Sequence, residues 1–253
     1  MKQSFFERDK ALLTVMVQAD NPDRIKELID KSSPEGAEAY GMQFEQMKPE
    51  YRTKEVYRDL FLYTKEKPIY VTNYRGGKNQ GKSDIQLAEE LLELADCGAD
   101  LCDIMGDYFD RQPDEVAVSQ TAIEKQKELI RKIHDKGAKV LMSSHVLKYI
   151  PAERVLEIAF EHQKRGADIC KIVTGADTME QQLENLKIIN ILKENLKIPF
   201  LFLCGGESRI LRRIGGELGC CMYLCVHEHD ELATPQQPLL RDLKTIRDNM
   251  ELN

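Results

Sequence analysis

Short apolar runs alternate with longer amphipathic ones along the whole chain, and the two kinds of run have different periods. Eight stretches read as strands: 12–19, 37–45, 68–75, 99–107, 138–146, 167–174, 198–206 and 220–228. Each stays apolar over several consecutive positions, as strands buried on both faces do. Between them the apolar residues recur with helical spacing. In "IQLAEELLELADCG", Leu87, Leu91, Leu92 and Leu94 lie close to a 3.6-residue period. In "PAERVLEIAFEHQKRG", Pro151 opens a helix and Gly166 closes it.

The joints between the two kinds of run repeat. Gly36-Ala37-Glu38, Gly98-Ala99-Asp100, Gly137-Ala138-Lys139 and Gly166-Ala167-Asp168 each end a helix on a glycine and start a strand almost at once. Short joints of this kind build right-handed βαβ units and a parallel sheet. Eight such units in 253 residues predict an α/β fold, a (β/α)8 TIM barrel forming a single domain over 1–253. A doubly wound open sheet is the alternative. That fold needs a glycine-rich phosphate loop after the first strand, where "VQADNPDR" stands instead.

Charge and cysteine content narrow the classes of partner. The formal charge is −7 and no basic stripe is visible, which argues against nonspecific binding of nucleic acid. Of the seven cysteines, Cys170, Cys204, Cys220, Cys221 and Cys225 lie within apolar strands, and no Cys-x-x-Cys pair suggests zinc. Reduced core thiols are expected. The start "MKQSFFERDK" has no apolar leader segment and no apolar run reaches membrane length. The expected compartment is the cytoplasm, with room for a homodimer and none for a membrane.

In a barrel of this kind the chemistry sits at the C-terminal ends of the strands. Lys171, in "ADICKIVT", occupies a position where a buried strand favours Val or Leu. A buried ammonium needs a partner, and Asp103 on a neighbouring strand is the structural candidate. The functional reading is a desolvated amine that attacks a ketone to form an imine. His145, ending the adjacent strand in "VLMSSHV", could then move protons. Arg75 ends strand three before "GGKNQGK", as a loop-edge charge or a binding group.

From about residue 68 to residue 237 the chain resembles the type I 3-dehydroquinate dehydratases. Most of the resemblance lies in "KVLMSSHVLKYIPAERVLEIAFEHQKRGADICKIV", which holds the family's histidine, its proline-initiated helix and its imine-forming lysine. The resemblance implies catalytic roles for His145 and Lys171. "RRIGGELG" resembles the family's Arg-Leu-Ala-Gly-Glu segment and implies that Arg213 binds the substrate carboxylate. "TPQQP" resembles an Ala-Pro-Gly-Gln loop and implies a substrate-binding Gln237. "VTNYRGGKNQG" resembles a Phe-Arg-Ser…Gly-Gly loop and implies a binding role for Arg75. The implied reaction converts 3-dehydroquinate to 3-dehydroshikimate and water through a lysine imine, with no metal or other cofactor. The implied partner is a small-molecule keto acid.

The departures lie on the polar rim. Met105 stands where the family has a strand-four glutamate, so Asp103 or Asp107 would have to support His145. Gln43 stands where it has a strand-two arginine, and Ala233 where it has a serine. The loop "VHEHDELATPQQ" is longer and carries His227 and His229, a weak hint of a metal site. The segment before the first strand looks too short for the hairpin that closes the barrel bottom in the family. Two alternatives stay open: imine chemistry on another small keto acid, and a barrel that binds a keto acid without turning it over.

Overall fold

The computed structural model describes residues 4–6 and 10–250. The ends of the expected 1–253 domain, and most of the segment before the first strand, lie outside the described residues. All eight expected strands are present: β1 (Leu12–Val17), β2 (Ala39–Gln43), β3 (Ile69–Thr72), β4 (Leu101–Met105), β5 (Lys139–His145), β6 (Ile169–Thr174), β7 (Phe200–Cys204) and β8 (Met222–Cys225). The helices that alternate with them are α1 (Pro22–Ser32), α2 (Lys54–Tyr63), α3 (Asp84–Asp96), α4 (Gln120–Asp135), α5 (Ala152–Arg165), α6 (Met179–Asn195), α7 (Leu211–Ile214) and α8 (Leu240–Met250).

Every strand pair is parallel, and the order is β7-β6-β5-β4-β3-β2-β1-β8. Sequential order with β8 returning beside β1 excludes the doubly wound sheet and makes a TIM barrel. Its seam between β7 and β8 is narrow: Cys221 N donates to Phe200 O at 2.9 Å, and Cys220 Sγ accepts from Phe202 N.

The glycines at the repeated joints do what the spacing predicts. Gly36, Gly98, Gly137 and Gly166 all have φ between 87° and 111°. At the end of α5 the Gly166 amide turns back to Gln163 O and His162 O. Side-chain caps begin other helices: Asn21 accepts from Arg24 N before α1, and Ser83 with Gln86 forms a capping box on α3. The seventh helix is only one turn long and follows a 3-10 turn, Gly206–Ile210.

Alternation along the strands gives the barrel an apolar floor and a polar upper half. Leu12, Ala39, Leu101, Leu141, Ile169 and Met222 are buried in one interior cluster, which also includes Phe5. Two residues further along the same faces come Thr14, Gly41, Asp103, Ser143 and Lys171. Gly41 is required by packing: a Cβ there would lie 2.3 Å from Met16 Sδ and 3.0 Å from Tyr70 Cδ1. All seven cysteines are buried free thiols. Among the described residues no helix is long and apolar enough to cross a membrane.

Candidate active site

At the C-terminal end of the barrel lies a cavity of about 630 Å³. Lys171, His145, Arg75 and Gln237 line it, as the barrel rule requires. Arg213 is not among the lining residues. Its neighbour Arg212 is, because the single turn of α7 points that side chain inward. Met105 and Gln43 also face the cavity.

Lys171 is 4% exposed and has three polar neighbours, from two strands and one loop. Its Nζ lies 3.1 Å from Asp103 Oδ2, 3.0 Å from Tyr70 Oη and 2.7 Å from Tyr74 Oη. Both phenols donate in turn to Asp103 Oδ2, and Ser143 Oγ donates to Oδ1 at 2.6 Å. The buried pairing expected on structural grounds is therefore present. Burial works to raise the Asp103 carboxyl, but Lys171, His145 and these donors hold it below the ordinary range. Burial pushes both phenols well up, so they stay protonated and donate.

His145 sits two residues beyond Ser143 on the inward face of β5, and Ser143 pairs in register with Lys171. The two candidate groups thus project from neighbouring strands toward one space. Tyr74 links them: its hydroxyl touches Lys171, and its ring meets the imidazole edge-on at 5.1 Å. The carboxylate on His145 comes from neither Asp103 nor Asp107. Glu115, in the loop after β4, lies 2.9 Å from His145 Nδ1 and 2.7 Å from its backbone N.

Arg75 is heavily engaged. Its Nε and Nη2 grip Asp84 at 2.7 Å each, its Nη1 pairs with Asp107 Oδ1 at 2.6 Å, and Nη2 also reaches Asp107 O. Arg212 differs. Its Nε donates to Cys204 O at 3.0 Å, and no carboxylate pairs with it among the described residues. Burial lowers its pKa from the ordinary value, as expected of a desolvated cation without a counter-charge.

Amides and a hydroxyl fill the rim where the family resemblance would place arginine and serine. Gln18 Nε2 donates to Gln43 Oε1 and to Thr234 Oγ1, and its Oε1 accepts from Thr234 N. Thr234 lines the cavity beside Gln237, whose buried Oε1 has no hydrogen-bond partner among the described residues. The two loop histidines have different partners: His227 Nδ1 meets Glu35 at 2.9 Å, and His229 Nε2 meets Gln237 O at 2.8 Å. Among the described residues no group of three His, Cys, Asp or Glu side chains could hold a metal ion.

Sequence reasoning overlooked four of these groups. Tyr70 and Tyr74 had a signal, since Tyr74 continues past the end of β3 the alternation that Tyr70 and Thr72 begin. Glu115 and Arg212 had none, because the first depends on a loop path and the second on the phase of a one-turn helix.

A parallel eight-stranded barrel with a lysine, a histidine, an arginine and amides around one open-end cavity has the build of a barrel enzyme for a small polar molecule. The chain belongs to the type I 3-dehydroquinase family, whose model matches residues 13–253. Two curated relatives are named 3-dehydroquinate dehydratase. The one from Alkaliphilus oremlandii (strain OhILAs) is 35% identical over 92 residues, covering 36% of each chain. The one from Clostridium novyi (strain NT) is 28% identical over 183 residues, 69% of this chain and 66% of the relative. The matched segments thus cover from about a third to just under two thirds of the relatives' own lengths.

Solved structures extend the likeness of fold over nearly the whole chain. The 3-dehydroquinate dehydratase of Geobacillus kaustophilus HTA426 superposes with a TM-score of 0.81 at 17% identity, covering 96% of this chain and 91% of that one. The type I enzyme of Clostridium difficile, solved with covalently modified comenic acid, gives 0.79 at 18% identity, covering 99% and 98%.

Proposed function

We propose that this chain is a metal-independent, Schiff-base-forming dehydratase that converts 3-dehydroquinate to 3-dehydroshikimate and water. The observation that carries the reading is the meeting of Lys171 and His145 from adjacent strands in one cavity, joined through Tyr74. Family membership makes dehydroquinate the first substrate to test.

In this reading the substrate carboxylate sits against Arg212, and a ring hydroxyl donates to the orphaned Gln237 Oε1. Lys171 Nζ, once freed of a proton, attacks the ketone carbon, and the carbinolamine loses water to give the imine. The imine withdraws electrons, so the adjacent C–H becomes acidic. His145 takes that proton and returns it to the departing hydroxyl, which leaves as water. Hydrolysis of the imine then releases product and restores the amine. No step needs a metal ion.

Borohydride reduction in the presence of 3-dehydroquinate tests the reading. The expected result is the reduced ligand's mass on Lys171, with trapping and turnover both lost in Lys171→Ala. Full turnover in Lys171→Ala would end the proposal, and so would loss of wild-type activity to a chelator. A second reading, the same imine chemistry on another small keto acid, is favoured by Gln43 in the rim and by the engagement of Arg75 with Asp84 and Asp107. Trapping by a different keto acid, with none by 3-dehydroquinate, would select it.

A further inference from the structure

We infer that Glu115 is the positioning carboxylate of His145, and that the loop after β4 is braced to hold it there. The inference rests on the reading of His145 as proton carrier, and it replaces a carboxylate on the barrel strand with one borne by a loop. The end of β4 supplies none: Met105 is apolar, Asp103 is committed to Lys171 and Asp107 to Arg75.

One oxygen of Glu115 accepts from both the backbone N and Nδ1 of His145, at 2.7 and 2.9 Å. Two bonds from the same residue to one acceptor fix the imidazole against its own backbone. An ionised carboxylate can only accept, so Nδ1 carries a proton, and in the neutral ring Nε2 is then the nitrogen with the lone pair. That is the tautomer a general base at Nε2 needs.

An ordinary surface ion pair would need no support, and this one is supported from several sides. Glu115 has φ of 49°, in the left-handed region that side chains disfavour. Its carbonyl accepts from Ser144 Oγ at 2.8 Å. Ser144 Oγ in turn lies 3.1 Å from His162 Nε2. The loop ends are tied by the buried Arg165, which donates to Gly106 O at 2.9 Å and to Ala117 O at 2.8 Å. Gln126 adds a bond to Gly106 O at 2.9 Å, and Ala117 N closes on the same carbonyl. Strain at one residue, held by buried donors from α4, β5 and α5, marks a shape kept for a purpose.

The test uses the full chain and reads His145 directly. In Glu115→Ala, ¹⁵N NMR of the His145 ring should show the Nδ1–H tautomer giving way toward the Nε2–H form that free imidazole prefers. Turnover should fall on the order of a hundredfold, the scale of a misdirected acid–base group, while borohydride trapping at Lys171 persists. Glu115→Gln keeps an acceptor without the charge and should recover the tautomer with part of the turnover. If Glu115→Ala does not fold, Ser144→Ala takes its place. By freeing the Glu115 carbonyl it should loosen the loop and lower the Nδ1–H fraction in part. An unchanged tautomer in a folded Glu115→Ala, or full turnover there, overturns the inference. Failure of the wild type to trap or turn over 3-dehydroquinate would instead count against the catalytic reading, and the tautomer measurement would still decide the role of Glu115.

Discussion

Replacing Arg212 with methionine should weaken substrate binding while leaving the fold no less stable, and that combination distinguishes a ligand-binding cation from a structural one. Arg212 is 8% exposed, its Nε is held by Cys204 O, and no carboxylate pairs with it among the described residues. Its guanidinium fork is therefore paid for in desolvation and recovers the cost only when an anion arrives. A bidentate carboxylate contributes two charge-assisted bonds, and their loss costs about 3 kcal/mol, or on the order of a hundredfold in kcat/KM. The carboxylate does not react, so the loss should appear mainly in KM. Removing an unpaired buried cation in favour of an apolar chain of similar length should leave stability unchanged or raise it by about 1 kcal/mol. Arg213→Met is the control: it lies one residue on and outside the cavity lining, so its kinetic constants should stay within about twofold of wild type. Initial rates over a range of 3-dehydroquinate, with urea unfolding of each variant, supply both readouts. An unchanged KM in Arg212→Met beside a large rise in Arg213→Met would return the carboxylate role to Arg213 and refute the reasoning.

Two further outcomes follow from the bracing of the loop. Burial, with Arg165 nearby, pushes His162 down to about 3, whereas the unfolded chain takes up that proton near 6.5. Unfolding therefore binds a proton between those values. From this residue alone, stability should fall by about 1.4 kcal/mol per unit as pH drops below roughly 6.5. Urea midpoints at several pH values should show a shallower decline in His162→Gln, and parallel curves would refute the assignment. Gly106→Ala would place a Cβ 2.5 Å from Glu115 O and 2.8 Å from His162 Nε2. It should cost about 1–3 kcal/mol and lower turnover in the molecules that fold, and an unchanged midpoint and rate would remove the loop from the argument.

The parts of this molecule that could be read in advance are those governed by repetition or by anomaly. Strands buried on both faces announce themselves as apolar runs, and four glycine joints set the order of the units, so the barrel was legible before any contact was known. The runs overreach the true strands at their C-terminal ends for a functional reason. Asn73, Tyr74 and Arg75 leave the β3 ladder to bond Glu90, Lys171 and Asp84, so these rim residues extend the stretch without continuing the sheet. Lys171 and His145 stood out because a strand interior has no use for either.

Arg212 and Glu115 could not stand out, for two distinct physical reasons. Which of two adjacent arginines faces inward is decided by the phase of the four-residue α7, which follows directly on the turn that Gly206 opens. Its φ is 61° and a Cβ there would lie 2.1 Å from Ala176 O, so a tertiary contact shapes the turn before any helical period can be counted. Glu115 depends on a path: Arg165, the last residue of α5 and far along the chain, ties down both ends of the loop that reaches His145. The same dependence explains how Met105 is tolerated. With the carboxylate on His145 coming from the loop, the strand position needs only to fill space at the cavity wall, which an unbranched thioether does well. In the proposed mechanism the lysine and histidine sit on strands, whose register fixes their separation, and the histidine's partner sits on a loop, where buried bracing supplies the rigidity that a strand would otherwise provide.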